Sequence, residues 1–220
     1  MALIVIDGLD GSGKSTQLER VRSIIGDAEF ISFPDYERAS SALVKMYLNG
    51  DFSDTPDGVN AYAASSFYAV DRYASYKQVW EKAYLSDKLI IAARYVSSNA
   101  LHQMGKLPEK EWDSYLEWLE DYEYDKLGLP RPDAVIFLDM PVEVSQKLLS
   151  SRYGGDEQKK DIHESNVDYL KKCRSTALYA AEKCGWQVIS CADDSCDAPL
   201  APSEITDKIM NVIRRVCADA

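Results

Sequence analysis

Gly8, Gly13, Lys14 and Ser15 stand in the order Gly-x-x-x-x-Gly-Lys-Ser within the stretch VIDGLDGSGKSTQ (5–17). That spacing is the phosphate-cradling P-loop pattern. A phosphate chain carries several negative charges, so its cradle needs many donors at close range. Gly8, Gly11 and Gly13 allow consecutive backbone N–H groups to turn inward, and the helix expected to open at Lys14 adds the positive end of its dipole. Lys14 supplies a point charge to β- and γ-phosphates, and the Ser15 hydroxyl suits Mg²⁺. Asp10, Ser12 and Thr16 complete the candidate cofactor-binding loop. The motif points to phosphate binding and does not identify the second substrate.

A second constellation lies in SSFYAVDRYASY (65–76). Phe67 and Asp71 are four residues apart and share a helical face, with Arg72 alongside. An aromatic ring can stack on a flat base while a guanidinium bonds its edge or a phosphate. By residue type alone Phe67 suits a core position and Arg72 a surface ion pair with Asp71, so both readings stand. A GTP switch would need an Asn-Lys-x-Asp element to read guanine, and the chain has none.

These residues need a frame. Short apolar runs rich in β-formers recur at 2–6, 29–33, 88–92, 134–138 and 187–190, separated by longer amphipathic stretches. That alternation predicts an α/β fold of three layers, with about five parallel strands and helices on both faces. Ligands of such sheets sit outside the carboxyl ends of the strands. The segments to inspect are therefore Gly8–Thr16, Pro34–Arg38, Ala93–Gln103, Asp139 and the residues from Ser190 onward.

The 220 residues suffice for one domain, and no linker or repeat divides them. A net charge of −11 argues against broad nucleic-acid or membrane-surface binding, so anionic ligands must meet local positive charge. No targeting segment or membrane-spanning run is visible, and the cysteines, all beyond residue 172, lack a Cys-x-x-Cys pair. The expectation is a cytoplasmic protein with reduced thiols, with a Cys191–Cys196 disulfide as the alternative. The charged stretch RYGGDEQKKD (152–161), with two adjacent glycines, suits a flap, although QKKD by itself also suits a solvated turn.

Taken in order, the motifs resemble the thymidylate kinase family of nucleoside-monophosphate kinases. After GLDGSGKST come FPDY (33–36), F-x-x-x-D-R (67–72), ARYVSSNALHQ (93–103), LGLPRPD (127–133) and a charged segment ending in DIHE (161–164). The resemblance spans nearly the whole chain and implies transfer of the γ-phosphate of ATP to dTMP, with Mg²⁺, in a homodimer joined through helices such as that around 60–82. It also implies roles. Asp10 would accept the sugar 3′-hydroxyl, Phe67 would stack on thymine and Arg72 would bond the base edge. Arg94 would hold the acceptor phosphate, while Phe33, Arg38, Ser98, His102 and Gln103 complete the substrate set. Arg152 and Lys160, with Lys159, would close a basic lid over residues 152–164 and join Lys14 and Arg94 in catalysis. His102 and His163 equally suit ordinary polar surface.

Three positions depart from the family pattern. Tyr36 stands where an arginine is usual, with Arg38 two residues late, and Ile162 replaces an arginine in the lid. Ala93 stands where an acid before Arg94 would address Mg²⁺, which shifts that duty to Ser15, waters and Asp139. Two rival readings follow. A thymidine kinase would need a general base, for which Asp35 is placed. A catalytically impaired nucleotide-binding homologue would explain Ala93.

Overall fold

The apolar run Leu3–Gly8 forms β1, which is buried along its entire length at the centre of a five-stranded parallel sheet. In this computed structural model the described residues are 2–152, 166–193, 195 and 197–219. In chain order they form β1 (Leu3–Gly8), α1 (Lys14–Ile24), β2 (Glu29–Ser32), α2 (Ala42–Leu48), α3 (Ala61–Ser75), α4 (Glu81–Leu85), β3 (Ile90–Ala93), α5 (Ser97–His102), α6 (Trp112–Glu120), β4 (Ala134–Asp139), α7 (Val142–Arg152), α8 (Val167–Cys184), β5 (Gln187–Ser190) and α9 (Pro202–Asp219). Single π-helical turns, Tyr76–Trp80 and Asp121–Lys126, follow α3 and α6.

The strand order is β2-β3-β1-β4-β5. β1 pairs Ile6 with Ala93 on one side and Gly8 with Leu138 on the other. Successive strand residues face opposite sides of a sheet, and β1 shows the consequence. Leu3 and Val5 enter a cluster with Trp80, Trp112 and Tyr115, whereas Ile4 and Ile6 enter another with Leu18 and Val21 of α1 and Ile205, Ile209 and Ile213 of α9. Each such side chain is worth about 1.5–3 kcal/mol of burial, which fixes the register. The expected run 88–92 is observed as Ile90–Ala93 because Asp87 and Lys88 are spent on the turn closing α4. The strand therefore ends on Ala93, at the sheet edge where ligands bind.

Caps start α3, which carries site residues, and α8, which packs against α5. Asn60 accepts from the Ala63 N–H at 2.9 Å and starts α3, while Asn166 accepts from the Tyr169 N–H at 3.0 Å and starts α8. Each satisfies a donor that the first helical turn leaves open. Cys173, Cys184, Cys191 and Cys217 are free thiols, so Cys191 forms no disulfide; Cys196 lies outside the described residues. No helix among the described residues is long and apolar enough to cross a membrane.

Candidate active site

The loop between β1 and α1 closes under backbone constraint. Gly8 approaches β4 so closely that a Cβ there would meet the Leu138 carbonyl oxygen at 2.9 Å. Gly11 has φ +77° and passes the Ser145 carbonyl of α7, where a Cβ would come to 2.6 Å. Only glycine suits that combination of left-handed backbone and close approach. The Lys14 ammonium, at the first position of α1, donates to the carbonyls of Gly8 and Leu9, each at 2.7 Å, and lies 3.8 Å from Asp10.

The loop borders a cavity of about 960 Å³ outside the carboxyl ends of β1, β2 and β3. Of the residues expected at the site, Asp10, Gly11, Gly13, Lys14, Ser15, Thr16, Phe33, Arg72, Arg94, Ser98, His102 and Gln103 all line it. Gly8 and Ser12, also in the loop, are buried and do not line the cavity. Arg94 occupies left-handed backbone at φ +63°, unusual for a residue with a side chain and a feature that concentrates at functional sites. Its Nη2 donates to Asp10, and its Nη1 lies 3.0 Å from His102 Nε2. A guanidinium can only donate, so this contact requires the imidazole to accept at Nε2. Burial works to lower the Arg94 pKa, and the charges of Asp10 and Asp7 outweigh it, so the net shift is upward.

Asp7, inside β1, ties the two halves of the site together. It is fully buried and accepts from the Gly8 N–H at 2.8 Å, Ser97 Oγ at 2.6 Å and Ser98 Oγ at 2.7 Å. The P-loop and the start of α5 are thereby held by one carboxylate. At the far end of α5, Gln103 is fully buried, and neither its Oε1 nor its Nε2 has a hydrogen-bond partner. A buried amide left so costs several kcal/mol unless a ligand completes it.

Several expectations are corrected. Phe67 does not line the cavity; its ring packs against Phe52 and Tyr47, with centroids 5.5 and 6.4 Å away. Tyr68, one residue on, lines it together with Arg72. Helical periodicity contained this signal, because Tyr68 and Arg72 are four apart and share a face whereas Phe67 and Arg72 are five apart. Arg72 makes no surface pair with Asp71. It is buried against Glu123, with Nε–Oε2 at 2.6 Å and Nη2–Oε1 at 2.5 Å. Asp71 instead accepts from the Asp35 N–H and from Ser40 Oγ. Arg38 is 43% exposed, pairs with Asp35 at 3.1 Å and is absent from the cavity wall, where Tyr36 stands. Asp139 is held by Arg174 of α8 through bonds of 2.6 and 2.8 Å and does not reach the cavity. Asp35, the candidate base of a thymidine kinase, is likewise outside the wall and is paired with Arg38.

Ala93 lines the cavity beside the loop and brings no carboxylate. Among the described residues no three His, Cys, Asp or Glu side chains are arranged to hold a metal ion. Lys159, Lys160, Ile162, His163 and the side chain of Arg152 lie outside the described residues, as does most of the expected lid over 152–164. Sequence reasoning also missed Asn99 and Glu123. Asn99 was legible as part of the α5 motif, but Glu123 sits among acidic residues in a π-helical turn that no simple periodicity announces.

A family model described as thymidylate kinase matches residues 6–197. A thymidylate kinase from Mycobacterium tuberculosis strain H37Rv is 28% identical over 216 residues, covering 92% of this chain and 99% of that one. A probable thymidylate kinase from Pyrobaculum aerophilum is 24% identical over 216 residues, covering 98% of each. In three dimensions the chain is similar to a thymidylate kinase from Candida albicans, with a TM-score of 0.70 at 20% identity over 97% of this chain and 91% of that one.

Proposed function

This chain belongs to the thymidylate kinase family, and from that premise we propose how its residues divide the phosphorylation of dTMP by ATP to give dTDP. The observation that carries the assignment is the buried Gln103 amide, unpartnered and in the wall of the cavity that the P-loop borders. A pyrimidine edge offers both a carbonyl and an N–H, which is what an amide with a spare donor and acceptor requires.

In this reading the P-loop from Gly8 to Thr16 binds the triphosphate of ATP, and Lys14 exchanges the Gly8 and Leu9 carbonyls for β- and γ-phosphate oxygens. Arg94 exchanges Asp10 for the phosphate of dTMP, which leaves Asp10 to accept from the sugar 3′-hydroxyl. Tyr68 replaces Phe67 as the ring that stacks on thymine. Arg72, Gln103, Ser98 and His102 surround the base and sugar, and Phe33 forms a wall. An oxygen of the acceptor phosphate attacks the γ-phosphorus and the bond to the β-bridging oxygen breaks, leaving ADP. That oxygen is already anionic, so no general base is needed, and positioning plus cationic charge carry the reaction. The sequence motif adds Arg152 and Lys160 to Lys14 and Arg94 as sources of that charge.

Mg²⁺ fits this site through the exposed Ser15 hydroxyl and substrate phosphates, a donor set typical of the ion, and Ala93 contributes nothing to it. When bound, the ion would offset negative charge on the phosphates being brought together. A homodimer is part of the reading. Tyr62, Val70 and Tyr73 on α3 and Leu43 and Met46 on α2 are exposed apolar side chains, and those of α3 follow one helical stripe. The deciding experiment is a coupled assay of dTMP, dUMP, thymidine and dCMP with Mg·ATP. Turnover of dTMP without turnover of thymidine is expected; the reverse order would sink the assignment.

A further inference from the structure

Glu123 forms no part of the cavity wall, yet two side chains that do depend on it. It is fully buried and accepts from Arg72 Nε and Nη2 and from Asn99 Nδ2, the last at 2.9 Å. Arg72 and Asn99 both line the cavity. The third guanidinium nitrogen, Nη1 of Arg72, donates to the Tyr95 carbonyl at 3.2 Å. A guanidinium has five N–H groups. Three are consumed behind the wall, and one on each Nη is left for the cavity.

We infer that Glu123 is a positioning residue that sets the enzyme's choice of base by pinning and neutralising Arg72. An isolated guanidinium in a cavity built for two phosphate groups would attract phosphate. Joined to a buried carboxylate, the pair is neutral overall, and Arg72 becomes a fixed N–H donor suited to an uncharged carbonyl. Arg94 and Lys14 are left to meet the phosphates. A donor held in that plane favours a pyrimidine carbonyl, as in thymine and uracil, and opposes the exocyclic amine of cytosine, which donates as well. A buried ion pair is rarely retained for stability, because desolvation consumes most of its attraction. A role in specificity explains its presence, and the π-helical turn Asp121–Lys126 that delivers Glu123 is the kind of local irregularity found at functional sites.

The inference rests on the reading of the cavity as a dTMP site. It is tested with Glu123→Gln, which keeps the volume but removes the charge. The expected result is a KM for dTMP raised about tenfold or more with kcat much less affected, as for lost uniform binding. The dTMP-to-dCMP ratio of kcat/KM should fall by about tenfold or more, because a mobile Arg72 no longer penalises the amine. The KM for ATP should not move, and Glu123→Asp should recover part of the ratio. A folded Glu123→Gln protein with the wild-type dTMP KM and the wild-type ratio overturns the inference. Should that variant fail to fold, competition on the wild-type enzyme decides: dUMP must compete with dTMP far better than dCMP does, and equal competition overturns it. A wild-type protein that does not phosphorylate dTMP, yet binds dUMP over dCMP, would break the functional reading and leave the role of Glu123 standing.

Discussion

At the scale of single residues, the cavity wall separates side chains that line the proposed substrate site from neighbours that support the fold. Lys14→Ala removes the charge proposed to meet the β- and γ-phosphates, so kcat should drop by about 10²–10³, the usual loss for one electrostatic stabiliser. Circular dichroism should report an intact fold. Tyr68→Ala should weaken dTMP by about 1–3 kcal/mol, the worth of a stacked base. Phe67→Ala should lower thermal stability and leave dTMP affinity alone, since its ring contacts are Phe52 and Tyr47. Titrations of both variants with dTMP check the pair, and a reversed outcome would restore Phe67 to the site. Ala93→Asp places a carboxylate at the end of β3, in the cavity wall. The Mg²⁺ concentration for half-maximal activity should fall, whereas an unaltered requirement in a folded variant would show that position 93 does not address the metal.

At the scale of elements, each part of the site is held by something buried. The P-loop is shaped by contact with β4 and α7, so Gly11→Ala confronts both a left-handed backbone and the Ser145 carbonyl. That change should cost about 1–3 kcal/mol of stability and weaken ATP more than dTMP, measured by thermal melts and separate nucleotide titrations. Equal affinity for ATP in the variant would mean that the loop tolerates a side chain there. Most of these elements were legible beforehand. The P-loop spacing and the apolar run before it point to a strand, a turn and a helix, and the structure supplies β1 and α1 in that order. The face that α3 turns toward the cavity was legible only in part. Phe67 and Tyr68 are both aromatic and adjacent, and the helix phase relative to Arg72 separates them. Arg38 and Asp139 look available in the sequence because their partners, Asp35 and Arg174, are chosen by loop geometry and by α8.

At the scale of the whole molecule, the sheet separates two apolar layers and leaves further apolar side chains exposed on α2 and α3. If α2 and α3 form the proposed dimer interface, a charge set into that stripe, Val70→Glu, should yield a monomer in light scattering. A wild-type protein already monomeric at micromolar concentration would refute the dimer. The interior also protects two thiols. Burial pushes Cys173 and Cys191 up to about 12. The folded protein therefore keeps both protons above the ordinary thiol value, where the unfolded chain releases them. The stability this lends is present below that value and is lost as pH climbs toward about 12. Alkylation at pH 8 should accordingly reach exposed Cys217 and spare Cys173 and Cys191 until denaturant is added; labelling of all three in the native state would contradict their burial.

From sequence alone came the phosphate-binding loop, the parallel α/β architecture, the family and most of the residues at the strand ends. These are local properties: spacing along one turn, alternation along one strand, and the rule that ligands meet strands at their carboxyl ends. Tertiary structure decided which aromatic lines the cavity, that Arg38, Asp35 and Asp139 stand outside its wall, and that Arg72 is paired from behind by Glu123. The physical reason is that a charged side chain takes the partner brought nearest in space, and Arg72 and Glu123 are 51 residues apart in the chain. No local periodicity encodes that meeting; α3, α5 and the π-helical turn after α6 must first pack together.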